Sequence, residues 1–420
     1  MLIVDRRVLA GRVERVESLL REHGFEALVL YAQGSSVGST SKSHGYLSFL
    51  TDWDGYNTSS VLVLVPGRAP ELVVSNIFLK CMTERFPFWG DRVQLAMGPA
   101  MPGAVTKILQ ASGVKGRRIA YIGRAETPVP FWESLRASFP EAEFTDFESF
   151  VDPLRVIKDA AQYAMHYRGA EICDEMFQTL RREIKTGKKI CELQNAMIRT
   201  AQDNGAEHAL VWLSIAPAAE YCLFRREECQ RVPQLGDQVI VGIYQLFHGH
   251  WAHALRMGTY GEPTPAQKRA FDIVLEMENA GMEVLRPGAN LYDVHRAFEK
   301  VYCSHFTEKD DETMFRFRAA HGLGHSYEDP IVSAPFPQPY QDNSASVEGF
   351  MEFGYKRHSP VNNPSPDKFL EVRPGMLFEF HPNFFQKGVA GAAIGDMVYV
   401  GQNGAEIMTT FPRENIRWDC

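Results

Sequence analysis

Ala320-His321-Gly322-Leu323-Gly324-His325, then Arg373-Pro374-Gly375-Met376, then Ile394-Gly395-Asp396-Met397-Val398 succeed one another toward the C-terminus, and their reading decides the fold. The residues around the last two, 376–382 and 393–400, alternate as strands do. Working upstream, Arg286-Pro287-Gly288 stops one helix, 272–284, before a second, 291–303. Thr264-Pro265-Ala266-Gln267 opens a helix, Gly236-Asp237 opens a hairpin pattern over 238–260, and a helix over 189–202 precedes it. Leu154-Arg155-Val156-Ile157-Lys158-Asp159 opens a helix to about residue 184, with Met165, Ile172, Met176 and Leu180 on its apolar face. Residues 154–420 therefore read as an α+β domain. Residues 335–368 are rich in Pro, Ser and Asn, and an irregular insertion of that length is more often a functional lid than an accident.

Residues 1–153 read differently. An amphipathic helix over 8–24 (Val8, Leu9, Val13, Val16, Leu19, Leu20) leads to a strand at 26–31 and to strands 59–65 and 70–74 around Pro66-Gly67. A helix over 104–111 and a strand over 118–122 follow. Strands alternating with helices imply a smaller α/β layer in front of the α+β domain.

The chain has 420 residues, 45% hydrophobic and 23% charged, which excludes a disordered or fibrous protein. A net charge of −8 without a basic block excludes nucleic acid as a partner, and no apolar run is long enough to span a membrane. The N-terminus lacks a signal-peptide core, so the expected location is cytoplasmic. The seven cysteines are scattered without a CxxC, which signals neither a disulfide framework nor a zinc knuckle.

Taken in order, the quoted segments resemble the pita-bread family of creatinase, aminopeptidase P, prolidase and methionine aminopeptidase, the M24-like peptidases. The resemblance implies a C-terminal pita-bread domain over 154–420, a creatinase-type N-terminal domain over 1–153, and a homodimer in which one chain's N-terminal domain reaches the other's site. Metal-dependent members hold two ions on two Asp, one His and two Glu, because carboxylates bridge hard cations. On this sequence those positions fall at Gly242, His253, His321, His381 and Gly395. No family carboxylate survives. Creatinase works without metal through a His and Glu residues, yet no His occurs over 223–228 and Leu255 stands near its Glu.

What remains is three imidazoles at ligand positions. His253, His321 and His381 form a candidate mononuclear centre for one divalent transition metal, with Fe, Zn, Mn and Ni not distinguished; three core histidines and no metal is the alternative. Glu379, two residues before His381 on a strand, shares its face and is a candidate general base or orienting partner, against a sheet-edge ion pair. His325 is a candidate substrate donor, against an ordinary loop His. Arg256 and Arg225 are candidate anchors for a substrate carboxylate, and Tyr244 is expected to fill space left by the first Asp. Alternation turns His248 and His250 away from His253, toward a hairpin tip and toward solvent or an interface. Phe49, Trp53 and Tyr56 are expected to close the partner's pocket or else to pack within their own domain.

The expectation is an enzyme that hydrolyses a C–N bond in a small polar, carboxylate-bearing metabolite. The alternatives are a metal-dependent lyase or redox enzyme, and a binding protein that has lost catalysis.

Overall fold

Six consecutive apolar residues make β1 (Ala27–Ala32), and in the computed structural model every one of them is buried, as a strand covered by helices on both faces must be. The structure describes residues 4–83, 92–218, 228–311, 313–330, 336 and 371–420. The chain divides into two units, 1–155 with 325–327, and 156–324 with 328–420.

In the first unit, α1 (Arg6–Glu22) precedes β1, and α2 (Ser43–Thr51), β2 (Ser60–Leu64), β3 (Glu71–Val74), α3 (Ile77–Thr83), β4 (Val93–Leu95), α4 (Met101–Ala111), β5 (Arg118–Ile122), α5 (Val129–Ser138), β6 (Glu143–Asp146) and α6 (Glu148–Val156) follow. The sheet order is β4-β3-β2-β1-β5-β6. Only β2 runs against its neighbours, so β1, β3, β4, β5 and β6 all point one way. Val16 and Leu20 of α1 pack on one face with Leu47 and Leu50 of α2, while Val105 and Leu109 of α4 and Phe131 and Leu135 of α5 pack on the other.

Trp53 is spent on this unit's own core. It is 2% exposed, and its indole N–H donates to Ser60 Oγ at 3.2 Å. Phe49 is buried under the Arg12 guanidinium, 4.5 Å from its ring centroid. Of the two expectations, a partner's pocket or their own domain, these two rings meet the second, because desolvating an aromatic ring in its own core is the stronger attraction here. Tyr56 is exposed. His325 also belongs to this unit, buried with its ring edge toward Phe49 at 6.0 Å between centroids.

The second unit opens with α7 (Ala160–Glu183) and α8 (Ile190–Asp203), then β7 (His208–Ala216), β8 (Asp237–Phe247), β9 (His250–Tyr260), α9 (Pro265–Val284), α10 (Leu291–His305) and α11 (Glu308–Asp311). Next come β10 (Met314–Phe315), β11 (Ala320–Gly322), β12 (Leu377–Phe380), β13 (Asn383–Gln386), β14 (Ala390–Ala393), β15 (Asp396–Gly401), β16 (Gly404–Ile407) and β17 (Ile416–Arg417). Three sheets form, ordered β17-β9-β8-β7, β11-β12-β15-β16 and β10-β13-β14. Their shared core joins Phe271 and Met277 of α9 and Phe298 of α10 to Phe378 and Phe380 of β12.

One helix start differs from the expectation. The run 154–159 does not open a helix: α6 ends at Val156, and Asp159 caps α7 by accepting the Gln162 N–H at 2.9 Å. The helix opened by Thr264-Pro265-Ala266-Gln267 does begin at Pro265 and runs unbroken through 272–284, because Thr264 and Gln267 satisfy each other's backbone N–H groups at 3.2 and 2.8 Å. Such a reciprocal cap is worth about 1 kcal/mol, enough to carry a helix through a polar first turn. The insertion at 335–368 lies outside the described residues except Phe336, which packs on Phe378 and Phe380.

Candidate metal centre

Strand register places the site. Residues directly opposite on an antiparallel pair project to one face. Between β8 and β9 the register sets Tyr244 against His253 and Gly242 against Leu255; between β11 and β12 it sets His321 against Glu379. The two sheets join where Leu255 and Gly395 exchange backbone hydrogen bonds of 2.9 and 3.0 Å. The hairpin tip that fixes β9 is the pair His248-Gly249, both at positive φ (46° and 68°), the backbone a two-residue turn requires.

Four side chains converge there. Glu379 Oε2 lies 3.1 Å from His381 Nε2, 3.4 Å from His253 Nδ1 and 3.7 Å from His321 Nε2. His253 Nδ1 and His321 Nε2 are 3.3 Å apart, with the rings stacked at 17°. His321 Nδ1 meets the Gly322 carbonyl at 2.8 Å, which turns Nε2 inward. All four residues are at most 3% exposed. Among the described residues, His253, His321 and Glu379 form a group whose ligand atoms all lie within 4.8 Å of one another. Glu379 thus stands among all three imidazoles, within 4.8 Å of the ligand atoms of His253 and His321 and 3.1 Å from His381.

Burial sets the charge state. It holds the His253 and His321 imidazoles well below the ordinary histidine range, with the nearby His381 as the second cause for His253 and His321 alike. Burial also pushes His381 down to about 3, helped by the Arg318 charge. Burial drives Glu379 well above the usual carboxylate range, reinforced by the negative charges of Glu278 and Asp396. Burial therefore disfavours charge on all four groups, holding the imidazoles toward their neutral forms and the carboxyl toward its protonated form. A buried carboxylate whose oxygens find no hydrogen-bond donor of good geometry is costly unless a proton or a cation sits on it.

That donor set fits one divalent ion and does not fit a carboxylate-bridged pair, since a single carboxylate is present. Gly395 shows where the missing charge went. A Cβ built on it would stand 2.3 Å from Glu379 Oε1 and 2.8 Å from Leu255 Cδ1, so Glu379 fills the room a side chain at 395 would take. At Gly242 the equivalent neighbours, Leu255 Cγ and Trp212 Cβ, lie at 3.5 and 3.7 Å, ordinary contact.

Aromatic rings wall the cluster. Tyr244 meets His253 edge-on at 5.3 Å, Trp212 meets Tyr244 at 5.1 Å, and Phe317 lies 5.2 Å from His381. Trp212 and Phe317 were not singled out in the sequence; Trp212 is opposite Gly242 in the β7–β8 register, which only the pairing reveals. Arg318 was missed as well. Its charge acts on all three imidazoles and on Glu379, and it pairs with Glu328.

Arg256 does not face a substrate. It is fully buried, and its guanidinium donates to Asp396 Oδ1 at 2.7 Å, to the Phe411 carbonyl from two nitrogens, and to the Leu255 and Gly395 carbonyls at 2.8 Å. No donor is left for a ligand. The group instead locks Gly395 and Asp396 in place behind Glu379. Asp396 also takes an ion pair from Arg413 at 2.7 Å and a hydrogen bond from Thr409. Arg256→Ala should cost about 3–5 kcal/mol by stranding a buried Asp396, measured by equilibrium unfolding in denaturant. His250 is another correction: it is 1% exposed and packs edge-on against the buried His166 at 5.0 Å, so it does not face solvent. Arg225 lies outside the described residues.

The low imidazole values make a pH prediction for metal-free protein. In the unfolded chain His381 titrates near 6.5 and binds a proton that the native state refuses until about pH 3. Stability is then whole above about pH 6.5 and falls as pH drops below it, by about 1.4 kcal/mol per pH unit for this imidazole. Unfolding midpoints between pH 7 and pH 4.5 should fall for the wild type and fall less for His381→Asn.

A profile of metallopeptidase family M24 matches residues 164–402, more than half of the chain. The chain belongs to that family. It is similar to a Xaa-Pro dipeptidase of Pyrococcus horikoshii, 22% identical over 69% of this chain and 72% of that protein. It is also similar to an uncharacterised peptidase of Staphylococcus aureus strain USA300, 21% identical over 67% of this chain and 70% of that protein. Among solved structures, the prolidase from Thermococcus sibiricus superposes with a TM-score of 0.75 at 19% identity, over 98% of this chain and 99% of that one. The X-Pro aminopeptidase from Thermotoga maritima superposes with 0.73 at 16% identity, over 96% and 98%. Both units thus follow the fold of prolidases and X-Pro aminopeptidases, the pita-bread architecture with its N-terminal domain. No described helix is long and apolar enough to cross a membrane.

Proposed function

We propose that this M24 protein hydrolyses a C–N bond in a small polar substrate at a mononuclear centre held by His253, His321 and Glu379. The observation that carries it is the buried Glu379 carboxyl, surrounded by three neutral imidazoles and without a well-placed hydrogen-bond donor. A bound divalent transition metal supplies Lewis acidity to a carbonyl and to water. The protein's own groups do the rest. Neutral His253 and His321 offer lone pairs without losing a proton, and Glu379 gives up its proton to become the one anionic ligand. His381, neutral at pH 7, holds its Nε2 3.1 Å from Glu379 Oε2 and positions that carboxyl toward the ion. Tyr244, Trp212 and Phe317 restrict the substrate to a compact one and exclude water. Arg318 replaces Arg256 as the cation that draws a substrate carboxylate toward the cluster.

A dipeptidase acting on Xaa-Pro substrates is favoured by the names of the relatives, and the loss of the bridging carboxylates favours a non-peptide amide or guanidino compound. Turnover in labelled water separates these readings. The label is expected in the acid product of a small carboxylate-bearing amide and not in products from a Xaa-Pro dipeptide. Turnover without label incorporation, or with oxygen consumption, would overturn hydrolysis. The resemblance to creatinase implies a homodimer, and sedimentation at nanomolar concentration tests it.

A further inference from the structure

The first unit contains a cavity of about 510 Å³, within the size range of small-molecule sites. It opens beyond the carboxyl ends of strands that all run one way: Tyr31 is near the end of β1, Ser75 follows β3, and Gly98 follows β4. Ligands of α/β sheets bind at that end, because the loops there leave a crevice between helices. Here the crevice lies between the starts of α4 and α5.

Its chemistry is specific. The polar part consists of hydroxyls: Tyr31, Ser59 and Ser75, with Ser134 on the α5 wall. Ser75 Oγ donates to the Ser59 carbonyl at 2.9 Å, which leaves its lone pairs to accept from a ligand. Met101 and Phe131 supply apolar walls, and no charged side chain is among the described lining residues. Two helix N-termini would ordinarily attract an anion through free N–H groups. Here that route is weakened, because Pro102 and Pro130 in the first turns of α4 and α5 carry no N–H and no lining side chain adds positive charge. Proline rings present flat C–H faces instead. At the rim, Met97 and Val129, chain neighbours of lining residues, are 61% and 64% exposed, an apolar margin beside a hydroxyl floor.

We propose that this cavity binds a small, flat, uncharged aromatic molecule bearing a hydroxyl, which donates to Ser75 and stacks between the prolines and Phe131. Titration of the full-length protein with 2-naphthol, followed by calorimetry, tests it alongside the anion 2-naphthoate. Saturable binding of one 2-naphthol per chain is expected in the millimolar range or tighter, with 2-naphthoate at least about tenfold weaker. Ser134→Phe, which adds a ring at an exposed position on the cavity wall, should weaken 2-naphthol by at least about tenfold with an unchanged thermal midpoint. No saturation, equal affinity for 2-naphthoate, or undiminished binding in a folded Ser134→Phe protein would each overturn the assignment. Should that variant unfold, Ser75→Val decides: weaker 2-naphthol binding supports the site and unchanged binding overturns it. The Ser134→Phe and Ser75→Val comparisons assign the signal to this cavity rather than to the metal centre.

Discussion

Protein prepared without chelator should carry about one divalent transition-metal ion per chain, and His321→Ala or Glu379→Gln should lower its affinity for that ion by at least about 100-fold. The two substitutions act differently. His321→Ala removes a neutral ligand whose inward nitrogen is fixed by the Gly322 carbonyl. Glu379→Gln keeps the shape and removes the only negative charge among the four side chains, so the ion would face three neutral imidazoles. In metal-free protein burial favours the protonated form of Glu379, which Gln resembles, so Glu379→Gln should leave the thermal midpoint nearly unchanged while abolishing tight binding. That combination separates a ligand from a structural residue. Elemental analysis and competition with a chromophoric chelator measure it. Occupancy below about 0.2 ion per chain that reconstitution does not raise would remove the metal from the proposal.

Restoring the family's carboxylate at 395 should fail. A side chain there meets Glu379 Oε1 at 2.3 Å, Leu255 Cδ1 at 2.8 Å and the Phe380 carbonyl at 3.0 Å, and the backbone cannot retreat because Arg256 and Leu255 both bond Gly395. Gly395→Ala is expected to cost about 2 kcal/mol through overpacking, and Gly395→Glu about 4 kcal/mol or more, since a second buried carboxyl then opposes Glu379. Gly242→Ala should be nearly neutral, because its added carbon makes only ordinary contacts. Urea unfolding of the three variants gives the comparison. If Gly395→Glu matched the wild type, the idea that Glu379 occupies the vacated space would be wrong.

Much of this protein was legible in the sequence because its signals are local. Apolar runs such as 27–32, the alternation around 376–382, and turn residues such as Gly249 and Pro287 act within a few bonds of themselves, so they fixed the strands, the helices and the order of the C-terminal segments. His253, His321, Glu379 and His381 could be named in advance because strand periodicity and the family order both point at them. Tertiary structure alone decided what depends on residues far apart in the chain. Pairing β7 with β8 brought Trp212 opposite Gly242, and the Leu255–Gly395 bridge joined the two sheets that carry the cluster. Arg256 read as a substrate anchor because a lone arginine beside a histidine motif carries no sign of Asp396, 140 positions away, or of the carbonyls that take its donors. Trp53 likewise read as an interface aromatic until the sheet beneath it consumed its surface. The placement of Glu379 has the same origin. Periodicity puts Glu379 and His381 on one face, but that the carboxyl reaches His253 and His321 as well is set by cross-strand register and by the volume left open at Gly395.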